Sequence, residues 1–217
     1  MRLILLGPPG SGKGTQAKLL SSRLNLAHVG TGDILREAVR QNTPLGLKVK
    51  PYIGPGKLAP DDLVNEVVSE RFRGDKRPER FVMDGYPRTL AQAASFDQLL
   101  RQEFMDLSAV ILLVVEDSEI IKRLTGRLIC PNCKRPYHLV NNPPRSDRVC
   151  DDCGLPLIQR SDDQEPTVRK RLSDYRANTP GLIGHYQPRG LLHEVAGVGE
   201  IEEIYGRIHQ VLVQVGA

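Results

Sequence analysis

"LILLGPPGSGKGTQAKLL", residues 3–20, decides the fold. Leu3 to Leu6 is uniformly apolar, ends in glycine and is too short for a buried helix, so it reads as a buried parallel strand. Gly7, Gly12 and Lys13 then give the spacing G-x-x-x-x-G-K, and a helical stretch follows from about Lys13 to Leu24. Glycines let backbone N–H groups turn inward around phosphate oxygens, the helix N-terminus adds a favourable dipole, and Lys13 supplies a mobile positive charge. A glycine-rich turn alone would say little. Strand, loop, lysine and helix in this order indicate a phosphate-binding loop. The usual pattern puts Ser or Thr directly after the lysine to hold magnesium, whereas here Gly14 intervenes and the hydroxyl belongs to Thr15. Magnesium is therefore expected to be held through water and carboxylates. Asp84, ending the apolar run "FVMD", is the first candidate, its plainer reading being a carboxylate that caps a turn.

Working outward, "FVMD" at 81–84, "AVILLVV" at 109–115, "LLHEVAG" at 191–197 and, more weakly, "LAHV" at 26–29 read as further buried strands. Helix starts lie at Pro60-Asp61-Asp62, Thr89, Asp117-Ser118 and Glu165-Pro166-Thr167. Strands alternating with helices predict an α/β fold with a doubly wound parallel sheet. Two segments break the alternation. Residues 30 to about 59 look helical and end in the stiff loop "GPGKLAP"; residues 126 to about 163 hold Pro143-Pro144 and few apolar residues. Both read as insertions on a compact core, where moving and binding parts tend to lie.

Composition sets outer bounds. The 217 residues can bury a real core, and a net charge of +4 with 26 acidic groups and no long basic run weakly favours anionic ligands without arguing for nucleic acid. The apolar start is too short for a signal-peptide core, and nothing reaches the roughly 18 apolar residues of a membrane span. The expectation is a cytoplasmic protein with no membrane partner.

All four cysteines, Cys130, Cys133, Cys150 and Cys153, form Cys-x2-Cys-x16-Cys-x2-Cys, two knuckles able to give four thiolates to one tetrahedral zinc. His138 is an alternative ligand, but four thiolates already fill the shell and leave no open position for catalysis. A redox pair would predict no stable metal. A nucleic-acid ribbon would expect a basic patch with exposed aromatics, yet Lys134, Arg135, Arg145 and Arg148 are offset by Asp147, Asp151 and Asp152, and Tyr137 is the one aromatic residue there. A structural zinc, providing an apparent ~10–16 kcal/mol, would fold a piece too poor in apolar residues to make its own core.

With "TGDILR" (31–36), "DGYPRT" (84–89), "TGRL" (125–128), "RSDDQEPTVRKRL" (160–172) and "GLIGHY" (181–186) added to the phosphate loop, the chain closely resembles the adenylate kinases nearly end to end, in their zinc-bearing long-lid branch. The resemblance implies a P-loop nucleotide kinase that reversibly moves a phosphoryl group from MgATP to AMP, giving two ADP. It implies a core of 1–29, 60–125 and 164–217, an AMP-binding helical insertion at 30–59, and a zinc-stabilised lid at 126–163. ATP would be met by Gly10, Ser11, Gly12, Lys13, Gly14 and Thr15, by Arg123 and Arg127, by Pro136 and Tyr137, and by the main chain at Gly199. AMP would be met by Thr31, Arg36, the main chain of Lys57, Leu58 and Ala59, by Gly85, Tyr86, Pro87, Arg88 and Gln92, and by Arg160 and Arg171. Lys13, Arg88, Arg123, Arg160 and Arg171 would stabilise the transferred charge, with Asp33 and Asp84 ordering magnesium-bound water.

The residues themselves agree with this. Phosphoryl transfer needs charge neutralised, reactants aligned and water excluded, and planar bidentate donors suit that task. Two plainer readings stand beside it: Thr89-x-x-Gln92 is also a capping box, and an Asp at a helix start, as Asp33 is, is commonly a cap. Gly30 and Tyr86 depart from the serine and phenylalanine frequent in the family. A long lid argues against a pyrimidine acceptor, while GTP as donor stays open. The expected protein is a monomer.

Overall fold

The computed structural model describes residues 1–53, 57–73 and 77–216, so part of the "GPGKLAP" loop lies outside the described residues. Five strands form one sheet: β1 (Arg2–Leu6), β2 (Ala27–Gly30), β3 (Phe81–Asp84), β4 (Ala109–Val114) and, last in the chain, Leu192–Ala196. Two short strands in the cysteine segment, β5 (Arg127–Ile129) and β6 (Pro136–His138), pair antiparallel and make the last sheet strand β7. The sheet order is β2-β3-β1-β4-β7, with every neighbouring pair parallel. All five apolar runs of the sequence are strands; the weakest is displaced by one residue, to Ala27–Gly30.

The inner strands β3, β1 and β4 are almost wholly apolar because both faces are covered. Alternate residues feed two separate cores. Ile4, Leu6, Met83, Val110 and Leu112 face one side, while Leu3, Leu5, Val82, Ile111 and Leu113 face the other. Helices α1 (Lys13–Leu24) and α8 (Ile201–Gln214) pack on the second side. On the first side lie α4 (Asp61–Phe72), α5 (Leu90–Gln102) and α7 (Glu165–Tyr186). Phe72, Phe81, Phe96 and Tyr86 stack edge to face there, with centroids 4.9–6.1 Å apart, arrangements that add about 0.5–1.5 kcal/mol each beyond burial. The hydroxyl that distinguishes Tyr86 from phenylalanine donates to Asn65 Oδ1 at 2.8 Å, so the core accepts it.

The four helix starts read from the sequence are those of α4, α5, α6 (Asp117–Thr125) and α7. Thr89 caps α5 by accepting from Gln92 N at 3.1 Å. Helix α8 was not among the sequence expectations, although Glu200 and Glu203 form a reciprocal capping box at its start. Between β2 and α4 stand α2 (Thr31–Arg40) and α3 (Pro44–Ile53), the helical segment expected there. The cysteine segment departs from its expectation: it does bury a small cluster of Leu128, Cys130, Tyr137, Cys150 and Leu157. Two of those five are thiols, which is why counting aliphatic residues missed it.

Candidate active site and metal centre

Because β1 lies between β3 and β4, the chain winds outward in opposite directions from it, and a crevice opens at the strands' C-terminal ends. The glycine loop leaves β1 there. Gly12 is left-handed, φ 96°, as the N-cap of α1, a conformation suited to glycine. Lys13 Nζ donates to the carbonyls of Gly7 and Pro8, both at 2.8 Å, and lies 3.4 Å from Ser11 Oγ. A Cβ at Gly14 would stand 3.3 Å from Asp84 Oδ2. The glycine that displaces the usual hydroxyl thus lets α1 approach the carboxylate at the tip of β3. Thr15 follows within α1, half-buried.

Around this loop the arginines converge. Arg36 donates to Asp33 Oδ1 at 2.8 Å, and Arg160 lies 3.8 Å from the same oxygen. Asp33 sits in the first turn of α2 and its carboxylate serves these arginines; the N-cap is Gly30, without a side-chain cap. Arg88 Nε donates to Gly85 O at 2.7 Å, and Thr31 Oγ1 donates to the same carbonyl at 2.9 Å. Arg127 grips Asp163 with two bonds of 2.8 and 2.5 Å. Arg171 Nη1 donates to Asp162 O at 2.9 Å and lies 3.0 Å from its carboxylate. Arg123, on α6, bonds Glu119 at 2.8 Å and Gly197 O at 2.9 Å.

These cations repel one another. Burial pushes Lys13 down to about 8; Asp84 opposes this, while Arg88, Arg171 and Arg127 add to it. Desolvation between the cleft walls, with the charge of Arg171, pushes Arg88 down to about 10, and desolvation with Arg36 and Arg127 does the same to Arg160. Partial burial would raise Asp33, but the Arg36 hydrogen bond and the charges of Arg36 and Arg160 hold it below the usual carboxylate range. Asp33, Asp162 and Asp163 pair with several of these arginines. Lys13 and Arg88, however, are desolvated with only the charge of a nearby carboxylate such as Asp84 to offset this, a cost that a bound anion would relieve.

The remaining candidates fall on the same rim or near it. Lys57, Leu58 and Ala59 lie between α3 and α4, where Lys57 N donates to Tyr52 O at 2.9 Å. Gly85, Tyr86 and Pro87 form the turn after β3, with a cis bond before Pro87. Gln92 is buried; its Oε1 accepts from Arg88 N at 2.8 Å and its Nε2 donates to Asp61 Oδ1 at 2.7 Å. That is half of a capping box, since its side chain serves Arg88 N and not Thr89 N. Gly10 and Ser11 lie within the glycine loop, and Gly199 stands in the loop from β7 to α8. Pro136 is exposed on β6, but Tyr137 is buried inside the cysteine segment, leaving mainly its backbone to face a nucleotide.

Sequence reasoning gave no role to Asp162 and Asp163, both buried and both bonded to arginines. They lie inside a quoted motif, yet nothing in adjacent aspartates reveals burial. His28 was missed as well: its Nε2 is buried, lacks a hydrogen-bond partner, and stands 3.9 Å from Asp84 Oδ2.

The four Sγ atoms of Cys130, Cys133, Cys150 and Cys153 lie within 4.8 Å of one another, and those of Cys133 and Cys150 are 3.6 Å apart. Thiolates on a tetrahedral zinc at ~2.3 Å stand about 3.8 Å apart, so the cluster fits that ion. His138 stays outside it, its Nδ1 accepting from Val140 N at 3.0 Å and Asn141 N at 3.1 Å.

The family model for "Adenylate kinase" matches residues 5–191. The adenylate kinase of Archaeoglobus fulgidus is 45% identical over 215 residues, covering 99% of each chain. That of Ruminiclostridium cellulolyticum is 45% identical over 212 residues, 98% of this chain and 99% of its own. That of Caldicellulosiruptor bescii is 46% identical over 216 residues, 100% and 99%. A parallel sheet with a glycine loop at its switch point, a cleft of converging arginines and full-length likeness to these enzymes agree: the chain belongs to the adenylate kinase family, phosphotransferases that interconvert ATP and AMP with two ADP.

Proposed function

We propose that the cleft of mutually repelling cations is where MgATP and AMP meet, and that it maintains the cell's adenine nucleotide balance. The observation that carries this is the gathering of Lys13, Arg88 and Arg160 in one cleft, where burial and neighbouring arginines (Arg36, Arg127, Arg171) push them all down, an arrangement that phosphate oxygens would complete. The glycine loop, Gly10 to Thr15, with Arg123, Arg127 and the backbone near Pro136, Tyr137 and Gly199 holds ATP. Arg36, Arg88, Thr31, the 57–59 backbone, the Gly85-Tyr86-Pro87 turn and Gln92 hold AMP. Gln92 still has one N–H and one lone pair for an adenine edge.

Lys13, Arg88, Arg123, Arg160 and Arg171 spread the charge of the transferred group, and no protein base is required. Asp33 and Asp84 would orient the waters of a magnesium ion bound with the nucleotide, an ion that would supply neutralisation of phosphate charge. Residues 30–59 act as the AMP-binding insertion and 126–163 as a lid on a core of 1–29, 60–125 and 164–217. When the lid swings over the loop, water is excluded and Arg127 is brought to the phosphates. Zinc in the cysteine cluster gives that lid its fold. The protein works as a cytoplasmic monomer; no described helix is long and apolar enough to cross a membrane.

A coupled assay of the purified protein with MgATP against a panel of monophosphates tests this, with GTP as a second donor and zinc measured on the same sample. AMP-dependent ADP formation with about one zinc per chain, the number a single four-thiolate site holds, supports the reading. A pyrimidine monophosphate preferred over AMP would overturn the acceptor assignment.

A further inference from the structure

Tyr137 is the one aromatic residue of the cysteine segment, and its position is unusual for a nucleotide contact. It lies in β6 opposite Leu128 of β5, 3% exposed, with its ring among Leu128, Cys130 and Leu157. Its hydroxyl accepts from Asp151 N at 2.9 Å and stands 3.5 Å from Cys150 Sγ. A metal-bound thiolate carries no proton, so in a loaded site that contact has one possible direction: the phenol donates and the sulfur accepts. Arg135, paired with Asp152, stands 5.3 Å from the centroid of the Tyr137 ring. A cation against the ring withdraws charge from the phenol and makes it a better donor.

We propose that Tyr137 is a positioning residue of the metal centre, whose hydroxyl hydrogen-bonds the Cys150 thiolate and fixes strand β6 to the metal. Through the β5–β6 pairing that strand also carries Arg127, which lies opposite His138 in the same ladder. The contact therefore joins the metal to the arginine that grips Asp163. A thiolate that accepts a hydrogen bond has its lone pairs lowered, which steadies it as a ligand and dulls it as a nucleophile. Outer-sphere partners of this kind typically change metal affinity by about 10–100-fold.

The inference rests on the reading that the four cysteines hold zinc, so cobalt is titrated into the full-length apo protein first. Absence of a thiolate-to-cobalt charge-transfer band would reject the metal reading itself, and the inference with it. With the band present, Tyr137→Phe keeps the ring and removes the donor. Chelator competition should then show metal binding weakened about tenfold, and the charge-transfer band should move to longer wavelength as the sulfur lone pairs rise. Leu128→Ala disturbs the same cluster without touching sulfur, and should weaken binding with the band unmoved. Replacing all six tyrosines with fluorotyrosine, whose more acidic hydroxyl donates more strongly, should move the band to shorter wavelength without depending on how the Phe variant folds. A band unmoved in the fluorotyrosine protein, or a Phe variant that behaves like Leu128→Ala, would overturn the proposal.

Discussion

Lys13 gives the sharpest pH test of the cleft. In the free protein burial pushes its ammonium down to about 8, with Arg88, Arg171 and Arg127 contributing and Asp84 opposing. Phosphate oxygens beside the same ammonium would restore it toward the ordinary ~10.4. Nucleotide binding should therefore take up a proton, in an amount that follows the deprotonated fraction of free Lys13. That is about 0.1 proton at pH 7, about 0.5 at pH 8 and about 0.9 at pH 9. Apparent ATP affinity should fall by about twofold at pH 8 and about elevenfold at pH 9 relative to its low-pH limit. Stability of the free protein should move the other way. A lysine whose folded pKa is depressed costs stability below that pKa, and the cost is relieved as pH rises from 8 towards the ordinary lysine value of 10.5.

Calorimetry of MgATP binding in buffers of different ionisation heat, without AMP, counts the protons directly. Lys13→Arg should abolish the uptake, because arginine stays charged. Asp84→Asn removes the carboxylate whose charge supports the ammonium and should move the midpoint below that of the wild type. Affinity constant to pH 9.5 with no proton taken up would refute the argument that the loop holds a charge-starved lysine.

Asp163→Asn removes the buried carboxylate that grips Arg127 and stands 3.7 Å from Arg171 and should lower stability by on the order of 3 kcal/mol in urea unfolding, without a change in m-value. Gly14→Ala sets a methyl 3.3 Å from Asp84 Oδ2; the turnover it loses should be partly recovered at high magnesium, and an unchanged magnesium dependence would dissociate Asp84 from the metal. With zinc held by the four cysteines as proposed, its chelation should unfold the cysteine segment, seen as new protease cuts within 126–163, while the sheet keeps its far-UV signal. Cuts spread evenly through the chain would show that the metal holds more than the lid.

Local chemistry determined much of this protein. The apolar runs of β1, β3 and β4 read as strands buried on both faces, and a glycine loop ending in Lys13 after the first of them indicated a phosphate site. The Cys-x2-Cys pairs announced a cluster able to hold a metal, because the spacing within each pair is a property of adjacent residues. What only the tertiary structure decided depends on contacts between residues far apart in the chain. Gly14 reads as a lapse from the usual loop until Asp84, seventy positions on, is found against it. Asp162 and Asp163 look like surface charge until burial and two arginines surround them. Tyr137 reads as a nucleotide contact from its motif, and turns inward because the hairpin places its hydroxyl beside Cys150. A motif states which groups are available, whereas burial and partner choice are set by how the chain packs, and these decide what each group is free to do.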